Sequence, residues 1–159
     1  MAYADEEYYT SMWMTGTIPT ENLKGYLSKA SMEIDNMTFG RLRKGLPEDP
    51  YYRDKIRSAV CETADLLYSY NVADNLAIQA LKEMNSKDIS EKGIKSISDG
   101  TESVTYNTGS DLASQAKAMF PELASTREER SKAVSHVIRR YLTGIPDTEG
   151  INLLYAGVM

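Results

Sequence analysis

Leu23, Leu27, Ala30, Ile34 and Met37 follow one another at alternating steps of four and three. That spacing lines one face of an α-helix and no face of a strand, so it commits this stretch to a helix with one buried side. Ile18-Pro19-Thr20-Glu21 precedes the stripe. Thr20 is expected to cap the helix, with Glu21 favoured in its first turn. Gly40 is expected to end it, with Arg41, Arg43 and Lys44 near the negative end of its dipole.

The same periodicity recurs twice. After the breaker Leu46-Pro47-Glu48-Asp49-Pro50, a second helix is expected from near Tyr52, with Ile56, Ala59, Val60, Ala64, Leu67 and Tyr68 on its apolar side. Ala73 to Met84, carrying Leu76, Ala77, Ile78, Leu81 and Met84, reads as its continuation or as a separate short helix. Ser110-Asp111 can cap a third, bearing Leu112, Ala116, Met119 and Phe120. A last helix is expected from about Thr126 to Leu142. There Val134, Val137, Ile138, Tyr141 and Leu142 point inward, and Arg127, Arg130, Lys132, Arg139 and Arg140 largely outward. Gly144 closes it and Pro146 prevents continuation. The expected core is Leu23, Leu27, Ala30, Ile34, Ile56, Val60, Leu67, Val134, Ile138 and Leu142.

One stretch breaks the helical pattern. Ile94-Lys95-Ser96-Ile97-Ser98 and Ser103-Val104-Thr105-Tyr106 alternate apolar and polar residues around Asp99-Gly100. Alternation about an Asp-Gly turn predicts a β-hairpin. A lone two-stranded hairpin is marginal in water, so this one must lean on something. We therefore expect Ile94, Ile97, Asp99, Gly100, Val104 and Tyr106 to form a contact between subunits. Beyond the last helix, Ile151, Leu153, Leu154, Tyr155 and Val158 form an apolar tail, expected to be a docking segment. The fold class is accordingly all-α: a small helical bundle with a protruding β-hairpin or loop and an extended C-terminal tail. The chain is expected to be one domain, residues 1–159, with the bundle over about 19–144, the hairpin over about 94–106 and the tail over about 145–159.

Motifs for chemistry are absent. His136 and Cys61 are the sole histidine and cysteine, far apart in the chain. No internal disulfide is possible and no zinc site can rest on thiolates, which fits a reducing compartment. There is no phosphate-cradling glycine motif. Asp5-Glu6-Glu7 reads as a solvated acidic end, and Glu128-Glu129 suits a helix's first turn. The start is acidic and aromatic, unlike a secretory signal, and no apolar run approaches the roughly 20 residues that span a bilayer. No catalytic residue, cofactor or metal ligand is expected. Net charge is −5, so bulk charge does not draw the chain onto nucleic acid, although it could line a channel through which DNA passes without sticking. Eleven Tyr against two Phe, with eight Met, is an interface-like bias.

The segment from Tyr26 to Leu42, with Ala30-Ser31-Met32-Glu33-Ile34-Asp35-Asn36-Met37-Thr38-Phe39-Gly40-Arg41 at its heart, resembles the first helix of head–tail connector (portal adaptor) proteins of tailed bacteriophages, of the prophage type of Gram-positive hosts. Ile56 to Tyr68 resembles their second helix, and Ile94 to Tyr106 their hairpin. Val137-Ile138-Arg139-Arg140-Tyr141-Leu142-Thr143-Gly144, then Leu153-Leu154-Tyr155-Ala156-Gly157-Val158, resembles their last helix and tail. Ile145 to Asn152 are additional here, and Ala156 stands where that family has arginine. The resemblance covers most of the chain in the family's order. It implies a non-enzymatic virion protein of the neck, made in the host cytoplasm. Such a protein forms a ring, a dodecamer in the virion, beneath the portal protein. The ring extends the channel for double-stranded DNA, without sequence-specific binding, and gives a platform to the stopper or tail-completion protein. No membrane is involved. The competing readings are another neck or tail-completion protein, and a helical nucleic-acid-binding regulator.

Overall fold

Helix dominates the computed structural model, which describes residues 2–88, 96–98, 103–105 and 126–156. Contacts divide the chain into one unit of Met1–Ser69 with Arg127–Met159, and a second of Tyr70–Thr126.

In the first unit, helix α1 is a single turn, Glu6–Tyr8, that runs directly into a π-helical turn over Tyr9–Trp13. Asp5 caps it, its Oδ1 accepting from the Tyr8 amide at 2.7 Å. Helix α2 spans Thr20–Met37 and buries Leu23, Leu27, Ala30, Ser31 and Ile34. Thr20 does not cap it. Pro19 occupies that position in an extended conformation (φ −58°, ψ 145°), and its carbonyl accepts from the Asn22 amide, so Thr20 is already helical. Proline is well suited there because the position needs no amide proton. The helix also ends before Gly40. Thr38 closes the last turn on Ile34, Phe39 turns left-handed, and the Gly40 amide reaches back to the Asp35 carbonyl at 2.8 Å. This is the six-to-one bond of a Schellman ending, with phenylalanine where glycine is usual.

Arg41–Lys44 make a short 3₁₀ turn that buries Leu42. Helix α3 then runs over Pro50–Asp88. It starts two residues before the expected Tyr52, with Pro50 in its first turn and Asp49 Oδ1 accepting from the Tyr51 amide at 2.9 Å. Ala73 to Met84 continues it rather than forming a separate helix; within the second unit, Asn75 Nδ2 donates to Asn71 Oδ1 at 3.1 Å. Strands β1 (Ser96–Ser98) and β2 (Ser103–Thr105) pair antiparallel in that unit, with Ile97 opposite Val104. Helix α4 spans Arg127–Leu142 in the first unit. The third helix expected near Leu112 to Phe120 lies outside the described residues.

The first unit's core joins one face of each long segment. Leu23, Leu27, Ala30 and Ile34 of α2, Ile56, Ala59, Val60, Cys61 and Ala64 of α3, and Val134, Ile138 and Leu142 of the last helix are all buried. Of the expected core only Leu67 is half-buried rather than buried. The Tyr26 and Tyr68 rings meet edge to face, centroids 5.3 Å apart, on the α2–α3 seam. Among the described residues no helix is long and apolar enough to cross a membrane.

Candidate functional site

The chain beyond α4 folds back onto its own unit. Gly144 adopts φ +80°, a conformation that opposes any side chain, and reverses the chain direction. Ile145 is then fully buried, Pro146 bridges to Asn152, and the Leu153 amide donates to the Ile145 carbonyl at 2.9 Å. Leu153 is 0% exposed. Asp147 organises the turn between them. Its Oδ1 accepts from the amides of Glu149 at 2.8 Å and Ile151 at 2.9 Å, while Oδ2 faces Arg41 Nη1 at 3.2 Å. Arg41 Nη2 also donates to the Tyr155 carbonyl at 3.2 Å, and Lys44 Nζ pairs with Glu149 at 2.6 Å. The Ile151 amide above all, then that of Glu149 and the Arg41 guanidinium, hold the Asp147 carboxyl below its ordinary range, against the raising effect of burial.

The residues expected to dock therefore separate. Leu153 belongs to the core and Leu154 is half-buried, whereas Ile151 and Tyr155 are exposed. Val158 lies outside the described residues. Of the expected hairpin contacts, Ile97 and Val104 are cross-strand partners, while Ile94, Asp99, Gly100 and Tyr106 lie outside the described residues.

Beside the folded-back segment lies an open groove of about 580 Å³, lined by Met37, Phe39, Ser135, Arg139, Thr143 and Leu154. Its size is within the range of ligand and peptide clefts. Ser135 and Arg139 of α4, with Thr143 just past its end, make one wall. Met37 and Phe39, at the end of α2, make the other. Phe39 is 57% exposed despite its left-handed backbone at φ 54°. Arg139 is the one cation in the lining, and among the described residues its guanidinium has no acidic partner. The other basic residues of the two clusters are engaged within the chain: Arg41 with Asp147, Arg43 with Asp35, Lys44 with Glu149 and Arg140 with Glu62.

No protein-family model matches this chain, and no curated protein or solved structure does either.

Periodicity misses a further feature, the N-terminal arm. Tyr3 donates its hydroxyl to Asp35 and its amide meets Ser31 Oγ at 3.1 Å, both on α2. Tyr8 Oη lies 3.3 Å from Ser58 Oγ and Tyr9 donates to Asp65, both on α3. Asp65 Oδ2 also accepts from Trp13 Nε1 at 2.9 Å, and Thr15 Oγ1 sits 2.9 Å from Tyr9 Oη and 3.1 Å from Asp65 Oδ2. Ala4 and Tyr9 are buried, so the acidic start is ordered on the bundle even though Glu6 and Glu7 face solvent. Burial first, then the carboxylate acceptor, raises the Tyr9 hydroxyl above its ordinary pKa, and the same pair of causes acts at Tyr141, which donates to Glu62 at 2.6 Å. The signal for these clamps is the tyrosine excess: a phenylalanine could fill the space and could not bind the carboxylate.

Catalytic groups do not assemble among the described residues. His136 is exposed on α4, and Cys61 is fully buried, where burial pushes its thiol up to about 12. No group of three or more His, Cys, Asp and Glu there is placed to hold a metal ion.

Proposed function

We propose that this chain is a head–tail connector subunit: a non-enzymatic virion protein that assembles as a ring beneath the portal, extends the DNA channel, and carries the stopper or tail-completion protein. The observation that carries this reading is the order of the resembling segments along the fold. Tyr26 to Leu42 covers α2 with its unusual ending, Ile56 to Tyr68 lies in α3, the paired strands follow, and Val137 to Gly144 ends α4.

Charge usage supports it. Arg41, Arg43, Lys44 and Arg140 of the two basic clusters are all paired to acids of the same chain, so these clusters hold little free positive charge to neutralise phosphates, as suits a channel wall over which DNA slides. In this reading Leu153 anchors the C-terminal segment, and the exposed Ile151 and Tyr155 present it to the portal or stopper. In the same reading the strand pair meets a neighbouring subunit. The test is genetic. A nonsense mutation in this gene should give heads that fill with DNA and take no tails, restored by the full-length protein from a plasmid. Normal tailed particles from the mutant would refute the reading.

A further inference from the structure

Two large apolar residues are exposed on strained backbone, and they lie on different surfaces of the first unit. Met14 (φ 57°, 72% exposed) ends the π-helical turn of the N-terminal arm, beside Met12 at 69%. Phe39 (φ 54°) stands at the groove between α2 and α4. Left-handed backbone is unfavourable for any residue with a Cβ, and glycine or asparagine would serve these turns better. Neither side chain recovers that cost by burial in its own chain. Apolar side chains held exposed at a local conformational cost mark contact sites.

We infer that the N-terminal arm of one copy docks in the α2–α4 groove of a second copy, with Met12 and Met14 against Phe39 and Met37, and Glu6 and Glu7 facing Arg139. The chemistry on the two sides matches. Methionine adapts to irregular clefts and makes favourable sulfur–aromatic contacts. Glu6 and Glu7 are exposed acids, while Arg139 is the lining cation without an acidic partner among the described residues. The occupant is not the chain's own arm, because Tyr3, Tyr8, Tyr9 and Trp13 tie that arm to Ser31, Asp35, Ser58 and Asp65 on the α2–α3 side. Arm and groove are different surfaces, so the contact is head-to-tail, and a head-to-tail contact whose rotation closes makes a ring. This rests on the connector reading and adds which surfaces join.

The test mixes two full-length single variants, Met14→Cys and Ser135→Cys, with a short bis-maleimide. Cys61 is fully buried and contributes no background. The mixture should give a cross-linked dimer containing one copy of each variant, while either variant alone should give far less. Adding Arg139→Glu to the second variant should lower the yield at least about tenfold, since like charges then meet across the contact. Adding Glu6→Lys and Glu7→Lys to the first should restore it. If rings form, by mass measurement, and the mixed dimer is absent or indifferent to these charges, the docking inference is overturned and the connector reading stands. If no oligomer forms either alone or with a portal, both fall.

Discussion

Replacing Leu153 by alanine asks whether the C-terminal segment is part of the bundle. Leu153 is fully buried, and Ile138, Leu142 and Ile145 are too. Deleting a leucine side chain from such a site costs about 2–5 kcal/mol: the lost transfer free energy plus the cavity left behind. The upper part of that range requires walls that cannot collapse. Leu153 is carried by the segment that the Asp147 turn folds back, and that turn is held by hydrogen bonds and can relax inward. A value of about 3 kcal/mol is therefore expected. For a unit of about a hundred residues this lowers the melting temperature by roughly 10–20 °C. Tyr155→Ala, at a side chain that is 53% exposed, should stay within about 0.5 kcal/mol. Urea titration followed by circular dichroism separates the two, since the midpoint should fall with an unchanged slope. A Leu153→Ala protein as stable as the parent would mean that the segment does not pack as described.

Asp147 makes the bundle acid-sensitive. Its folded pKa is depressed below 3.8, so its contribution is present above that value and lost as pH falls through the lower, folded value. Asp147→Asn should be less stable at neutral pH and should lose less on acidification below 3.8, read from urea midpoints. Tyr9→Phe should cost about 1–3 kcal/mol by removing a bond to a charged acceptor, and should shift the emission of Trp13, the sole tryptophan, to the red as the arm loosens. Phe39→Gly should stabilise the isolated subunit by up to about 1 kcal/mol through relief of left-handed strain, while weakening self-association measured by sedimentation.

The helices were legible because their signals are local. The stripe from Leu23 to Ile34 needs only its own spacing to reveal a buried face, and the same holds for Ile56 to Ala64 and for Val134 to Leu142. Local reading erred where two local signals compete. Thr20 looks like a cap, but Pro19 beside it already has the extended backbone that a cap requires. Around Asn71 and Asn75 local reading leaves a continuous helix and a break both open; one helical turn apart the two side chains bond each other and the helix continues. What periodicity misses is carried by contacts between distant residues. The arm is held by Tyr3 to Asp35 and Tyr9 to Asp65, separations of 32 and 56 residues. Leu153 is buried only because Gly144 reverses the chain and Arg41, 106 residues before Asp147, holds the turn. The groove likewise joins the end of α2 to α4, so neither wall announces it alone.

The central claim is assembly beneath a portal, and it is tested most directly by mixing the purified full-length protein with the portal protein encoded in the same genome. Mass measurement and negative-stain microscopy of the mixture should show a ring of this chain seated on one end of the portal, matching its twelvefold symmetry. A portal that stays bare at high concentrations of the protein, with the chain still folded, would contradict the account.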